Sequence, residues 1–202
     1  MSLVADITQT IDSLVFNESI QALIRDMKAT QHGDRTNSFY DLLSDYHQEG
    51  GVWKHTLLAI QSLPAIAAEL ATMFNDQQFQ ELYDEFKNDL RVATLYHDIG
   101  KLSTQEPSKQ RLGSFSFPEH GAKDIVKTVI NKYGLTMNHR VRNLVTSHHA
   151  SPAEFQALKA VGWSDADLKL LVMLKAVDSI ATGPKGIVSA VAHVTPFVDL
   201  IS

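Results

Sequence analysis

Tyr96-His97-Asp98-Ile99-Gly100-Lys101 is the most informative stretch of this 202-residue sequence. A histidine and an aspartate, both good metal ligands, are adjacent there at the end of an apolar helical pattern. The residues on one face of that pattern are spaced by four, three and four: Phe86, Leu90, Ala93 and His97. This periodicity predicts a helix whose last inward-facing side chain is the imidazole of His97.

The composition is typical of a globular protein with one hydrophobic core. The hydrophobic fraction is 44% and the charged fraction 20%, so we expect a single compact domain over residues 1–202. No consecutive apolar run approaches the roughly 18 to 20 residues that span a bilayer, and the N-terminus lacks signal-peptide features. We therefore expect a cytoplasmic protein that does not bind membranes. The chain has no cysteine, so any metal must be held by His, Asp or Glu.

The charge of the chain is unevenly distributed. The net charge of −5 argues against general nucleic-acid binding. Residues 101–142, however, contain eight Lys/Arg and three Asp/Glu, a local charge of +5, which leaves −10 for the rest. Either this segment is a solvated basic face, or an anionic substrate approaches just after the His-Asp pair.

Hydrophobic periodicity predicts helices throughout, and hence an all-α fold. The predicted helices cover residues 3–14, 18–30, 37–46, 52–63, 76–98, 118–133, 137–149, 152–161, 168–180 and 185–196. Pro64 is predicted to kink or restart its helix, and Gly100 to end the helix before it. Residues 101–117 lack a regular period and are predicted to form a functional loop.

Asp178 is a carboxylate within a segment that should be buried. The helix from Leu168 to Ile180 is apolar on nearly all sides. An unpaired buried carboxylate costs several kcal/mol, so Asp178 needs a cation or a proton. The cation is either a Lys or Arg side chain or a metal ion.

Further histidines lie at helical positions that suggest inward side chains. His148 continues the apolar series of Val141, Leu144 and Val145, whereas the adjacent His149 points about 100° away. Periodicity thus favours His148, although either could face a site. His55 lies in the first turn of its helix, and His120 lies in a first turn but off the main apolar face. A site built from these nitrogens and from carboxylate oxygens suits Mn, Fe, Co, Ni or Zn.

The chain resembles the HD-domain metal-dependent phosphohydrolases. The resemblance lies in the order of His55, His97-Asp98 and Asp178 on separate predicted helices. The resemblance covers roughly residues 40–182, and its most specific part is the run from His97 to Lys101. A closer likeness, to the HD domain of bacterial tRNA nucleotidyltransferases, rests on residues 46–57 and 117–121. Gln48 and Gly51 differ from the proline and aspartate usual in that subgroup, and the nucleotidyltransferase portion is absent.

The resemblance implies a metal site and a reaction. His55, His97, Asp98 and Asp178 would bind the first divalent ion, for which Mg is a further candidate. A second ion, bridged by Asp98, would be bound by His120 with His148 or His149; one ion or two remains open. The implied activity is metal-dependent hydrolysis of a nucleotide or another small phosphoester.

The resemblance also suggests substrate contacts and two alternative functions. Lys101 would contact the phosphoryl group. The candidates for wider phosphate contacts are Lys109, Arg111, Arg140 and Arg142, and the favoured alternative for any one of them is solvated surface charge. One alternative is a metal-containing binding or sensor module without turnover. The other is a di-iron oxygenase, because some proteins with the HD fold carry such a centre.

Overall fold

The computed structural model of the protein describes residues 18–29, 52–102, 123–181 and 186–201. In these ranges the secondary structure is helical, with no strand, which confirms the all-α class. The helices are α1 (Glu18–Ala29), α2 (Val52–Met73), α3 (Gln78–Tyr96), α4 (Lys123–Tyr133), α5 (His139–Ser147), α6 (Pro152–Ala160), α7 (Asp165–Ala181) and α8 (Ile187–Val198), with a 3₁₀ turn at Ile99–Leu102.

α7 is the central helix of the described bundle. It packs against α2, α3, α5, α6 and α8. Its apolar residues from Leu170 to Leu174 are fully buried. This placement follows from a sequence that is apolar on nearly every side, because such a helix is stable in water only when neighbouring helices cover it. The described helices share one main hydrophobic core around it.

The helices α3, α5 and α7 run in the same direction. Near the beginnings of α5 and α7, Arg140 donates to Asp167 over 2.9 Å, and Asn138 donates over 2.9 Å to Asp89, which lies in the second half of α3. At the opposite end, the rings of His97 and His148 lie 5.4 Å apart. All three helices therefore end on the same side of the molecule.

We call Asp89, Asn138, Arg140 and Asp167 the clasp. Arg140 lies within 3.6 Å of Asp89 as well as bonding Asp167, and its guanidinium carbon is 3.9 Å from the ring centroid of Phe86. Asn138 also caps α5 by accepting from the Val141 N–H. The clasp thereby joins three helices at one level along their axes.

α2 runs antiparallel to α7. It begins beside the carboxyl end of α7, where His55 contacts Asp178. Just beyond its other end, Asp76 accepts a hydrogen bond from Lys169 in the first half of α7. This direction brings the first turn of α2 to the side on which α3, α5 and α7 end.

Helix boundaries correct several sequence-based predictions. α2 continues through Pro64 instead of restarting there. α3 ends at Tyr96, and Gly100 lies inside the following 3₁₀ turn instead of ending the helix. α8 continues past Pro196 to Val198. Gly134 does end α4 as predicted, with a φ of 61° that favours glycine.

Some predictions lie outside the described residues. These are the helices at 3–14 and 37–46, residues 103–117 of the predicted loop and the start of the following helix at Pro118. The organisation of residues 1–202 as a single domain remains a prediction.

By length and composition, α2 could cross a membrane. Its most apolar 18-residue window has a mean hydropathy of 1.4. The sequence-based expectation concerned consecutive apolar residues, and α2 is interrupted by polar ones such as Lys54, Gln61 and Glu69. Packing accounts for the apolarity, because α2 lies against α3, α7 and α8 and buries ten of its 22 residues. Its composition is that of a core helix.

Candidate metal centre

Three helices bring four predicted ligands together. His55 comes from the first turn of α2, His97 and Asp98 follow the end of α3, and Asp178 lies near the end of α7. The Nε2 atoms of His55 and His97 are 3.1 Å apart. Asp178 Oδ1 lies 3.0 Å from His55 Nε2 and 3.5 Å from His97 Nε2, and Asp98 Oδ2 lies 3.5 Å from each. We call these four residues the first donor group.

The first donor group has the spacing and chemistry of a metal site. Imidazole nitrogens and carboxylate oxygens bind transition metals at about 2.0 to 2.2 Å, so two ligands of one ion lie about 3 to 3.5 Å apart. The five distances given above between these nitrogen and oxygen atoms range from 3.0 to 3.5 Å. His55, His97 and Asp98 are buried, whereas the Asp178 side chain is 21% exposed. The group therefore fits one ion, with an edge open to solvent at Asp178.

A second donor group shares one member with the first. It consists of Asp98, His148 and His149, each with one ligand atom within 4.8 Å of the others. His148 is buried, as periodicity predicts, and His149 is exposed, yet both offer nitrogens to this group. Because Asp98 belongs to both groups, it occupies the position that a bridging carboxylate needs.

Backbone carbonyls set the ring orientation of His97 and His148. The Nδ1 atoms of His97 and His148 lie 2.6 Å from the carbonyl oxygens of Thr94 and Val145, respectively. A carbonyl only accepts, so each Nδ1 carries the proton. In the neutral ring Nε2 then holds the lone pair, which is the form that binds metals.

Helix ends add negative potential to the site. α3 and α5 end immediately before His97 and His148, and α7 ends three residues after Asp178. Each helix carries about half a negative charge at its carboxyl end. Three such ends converge on the two donor groups, so the backbone itself favours a cation there.

The ionisable groups are set for metal binding. Burial raises the pKa of the Asp178 carboxyl, but the hydrogen bonds and charges of His55 and His97 outweigh burial and hold that pKa well below its usual range. Burial, with smaller contributions from the charges of His149 and His97, holds the pKa of His148 well below 6.5. Asp178 is therefore anionic and His148 neutral at pH 7.

Lys175 is a site neighbour that the sequence interpretation missed. Its ammonium donates to the carbonyl oxygens of His148 and Ala150, over 2.8 Å each. Burial lowers its pKa to about 8, although the charges of Asp178 and Glu154 oppose this. The available signal was the single basic residue in the apolar run from Leu170 to Val177.

The predicted substrate contacts are only partly described. His120, Lys109 and Arg111 lie outside the described residues, as does the side chain of Lys101, whose backbone is in the 3₁₀ turn directly after Asp98. Arg142 is exposed on α5. Arg140 belongs to the clasp at the far end of α5, where it pairs with Asp167 and Asp89, and it lies away from the donor groups.

Comparison with known proteins agrees with this geometry at the level of the family. The family model for the HD domain matches residues 52–182, which is more than half of the chain. No curated protein and no solved structure matches significantly. The likeness to tRNA nucleotidyltransferases therefore remains a prediction, and residues 46–51 and 117–121, on which it largely rests, lie outside the described residues. On the family match and the converging donors, the chain belongs to the HD-domain family.

Proposed function

We propose that this protein is a divalent-metal-dependent phosphohydrolase acting on a nucleotide or another small phosphoester. The observation that carries the proposal is the meeting of His55, His97, Asp98 and Asp178, with donor atoms 3.0 to 3.5 Å apart. Membership of the HD-domain family supports the reaction class. A cytoplasmic location and a small phosphorylated substrate are part of the same proposal.

In this proposal the first donor group holds one ion and the second donor group a second. When bound, such ions would lower the pKa of water from 15.7 toward about 7 and polarise a phosphoryl oxygen. Mn, Fe, Co, Ni, Zn and Mg are the candidates, since the donors are nitrogen and oxygen only. Asp98 holds the two groups together, while Thr94 and Val145 keep Nε2 of His97 and His148 turned toward them.

Basic residues after Asp98 would bind the phosphate. Lys101 is three residues from Asp98, and residues 101–142 carry a net charge of +5. We propose Lys101 as the electrostatic partner of the phosphoryl group, with Arg111 and Arg142 as further substrate contacts. The open edge at Asp178 gives a solvent-accessible side from which a substrate could approach.

The test is elemental analysis of the purified protein, followed by a phosphoester screen with the metal found. We expect bound divalent metal and turnover of bis-p-nitrophenyl phosphate or a nucleoside monophosphate. Asp98→Ala should abolish both. Asp89→Ala is the matched control, because this aspartate of α3 belongs to the clasp and not to a donor group. This variant should keep the bound metal and the turnover.

Other outcomes would redirect the proposal. Bound metal without turnover over a broad panel would indicate a binding or sensor module. Two irons with oxygen-dependent consumption of a non-phosphate substrate would indicate an oxygenase. Full metal content in both His97→Ala and Asp178→Ala would overturn the site itself.

A further inference from the structure

Lys175 connects the two donor groups through the backbone. It lies three residues before Asp178 on α7, so the two side chains are on the same face of that helix. Its ammonium donates to the carbonyls of His148 and Ala150, which follow the end of α5. One side chain thus ties the segment of His148 and His149 to the helix that supplies Asp178.

The carbonyl groups that Lys175 bonds lie in the turn between two helices. The last carbonyls of a helix have no partner within the helix, and a lysine ammonium is a suitable donor for them. The chain then enters α6 at once, where Ser151 and Glu154 form a capping box. The carbonyl oxygens of His148 and Ala150 lie between these two helices, and Lys175 bonds both.

The ammonium is itself held in place. It lies 4.5 Å from the ring centroid of Phe197, which packs edge-on against Phe155 at 5.4 Å between centroids. A cation over an aromatic face in a partly buried position is favourable. Lys175 is therefore restrained by α8 on one side and by the turn after α5 on the other.

We propose that Lys175 is a positioning residue that holds the turn at residues 148–150 so that His148 and His149 can bind a metal ion beside Asp98. This inference rests on the metal centre of the proposed function. It assigns no contact between Lys175 and the substrate or the ion. Residues that orient metal ligands in this indirect way affect metal affinity by about 10- to 100-fold.

Lys169 is a matched control on the same helix. It too is a largely buried lysine, and its ammonium bonds Asp76 and Gln78 and lies 5.3 Å from the ring centroid of Phe79. These partners follow α2 at the end of α7 away from the donor groups. Lys169→Met therefore removes a comparable set of contacts without touching the turn at residues 148–150.

The experiment is calorimetric titration of metal-free full-length protein with Co²⁺. We expect the wild type to bind two ions. In Lys175→Met the first ion should bind as in the wild type, and the second about 10- to 100-fold more weakly. Lys175→Arg should restore part of the second affinity, because it keeps a cationic N–H donor, and Lys169→Met should bind both ions as the wild type does.

Hydrogen exchange gives a second readout that needs no metal. Amides at residues 148–151 should exchange faster in Lys175→Met than in the wild type, and not in Lys169→Met. If Lys175→Met does not fold, Lys175→Leu, which also lacks an N–H donor, takes its place with the same expected results.

Three results would overturn the inference: an unchanged second affinity in Lys175→Met, an equal loss in Lys169→Met, or a single ion in the wild type. If the wild type hydrolyses a phosphoester but Lys175→Met and Lys169→Met bind the second ion equally well, the role of Lys175 is rejected and the proposed function is kept. If the two variants differ in their affinity for the second ion but the wild type hydrolyses no phosphoester, the proposed function is rejected and the role of Lys175 is kept.

Discussion

In the first half of α7, Lys169 donates to the carboxylate of Asp76, whereas in the second half Lys175 donates to backbone carbonyls and Asp178 contacts imidazoles. The clasp, also near the beginning of α7, follows the first pattern, because Arg140 pairs with Asp167 and Asp89. At that end aspartates are neutralised by side-chain cations.

The end of α7 near the two donor groups is called the donor end, and there the aspartates have different neighbours. The carboxylates of Asp98 and Asp178 lie within 3.5 Å of the ring nitrogens of His55 and His97. These neighbours are themselves metal ligands by type, unlike the lysine and arginine side chains at the clasp end, and three helix ends add negative potential. At the clasp end, side chains of the protein balance the charges of the aspartates. At the donor end, the aspartates and imidazoles are arranged to receive a cation.

The largest effect should come from removing a histidine at the donor end. We expect His97→Ala to weaken binding of the first ion by more than the 10- to 100-fold typical of removing a residue behind a ligand, and to abolish hydrolysis. His139 begins α5 at the clasp end and is exposed. His139→Ala should therefore leave metal affinity unchanged, as measured by calorimetry. Equal losses in both variants would contradict the division between the two ends.

Removal of the metal should lower the stability of the wild type, because the donor groups at the donor end lose their bound ion. An ion present at 100 times its dissociation constant stabilises the fold by about 2.7 kcal/mol. For a chain of this size this corresponds to a melting temperature lower by roughly 5 to 10 °C after chelation. The shift should persist in Arg140→Met and disappear in His97→Ala. Thermal unfolding with and without chelator measures it.

Lys175 should make stability rise with pH in the metal-free protein. Its pKa is lowered to about 8 in the fold by burial, against 10.5 for an ordinary lysine. Between these pH values the unfolded chain holds a proton that the folded chain has released, so the free energy of unfolding increases, by about 3 kcal/mol over the whole range.

Denaturant unfolding at pH 8, 9 and 10 gives this slope. Lys175→Met should remove it, whereas Lys169→Met should keep it. A wild-type slope that survives in Lys175→Met would assign the titration to another group.

The smallest effect should come from breaking the clasp. Arg140→Met removes two ion pairs and the contact with Phe86, all partly exposed, so we expect a loss of about 1 kcal/mol in unfolding free energy. Metal affinity should not change. A loss of second-ion affinity as large as that in Lys175→Met would mean that the clasp, and not Lys175, positions the ligands along the helix axes.

Much of the fold was predictable because helix formation depends on local pattern. The spacing of Leu90, Ala93 and His97 indicated their burial, and the apolar run of α7 indicated its central place. Of the two alternatives for Pro64, a kink or a restart, the restart is wrong, because packing along the whole of α2 outweighs the preference of one residue. Gly100 does not end α3, because that helix already ends at Tyr96 and Gly100 lies in the following 3₁₀ turn.

The donor groups were predictable as residue types and less so as an arrangement. His97, Asp98, His148 and Asp178 each stood out as polar side chains on apolar faces. Arg140 was open between a phosphate contact and surface charge, and the structure places it in the clasp, because its partners Asp167 and Asp89 come from other helices. Lys175 was missed, although it is the single basic residue in an apolar run, since its backbone carbonyl partners carry no signal in the sequence.

The sequence alone determined the helical class, the exclusion of cysteine-based sites and the identity of the main ligand candidates. These depend on residue type and on periodicity within one segment. Only the tertiary structure decided that α3, α5 and α7 end together, that His148 and His149 both serve the second donor group, and that Lys175 holds their turn. Such facts depend on helix direction and on contacts between distant segments, and those are set by the packing of the core as a whole.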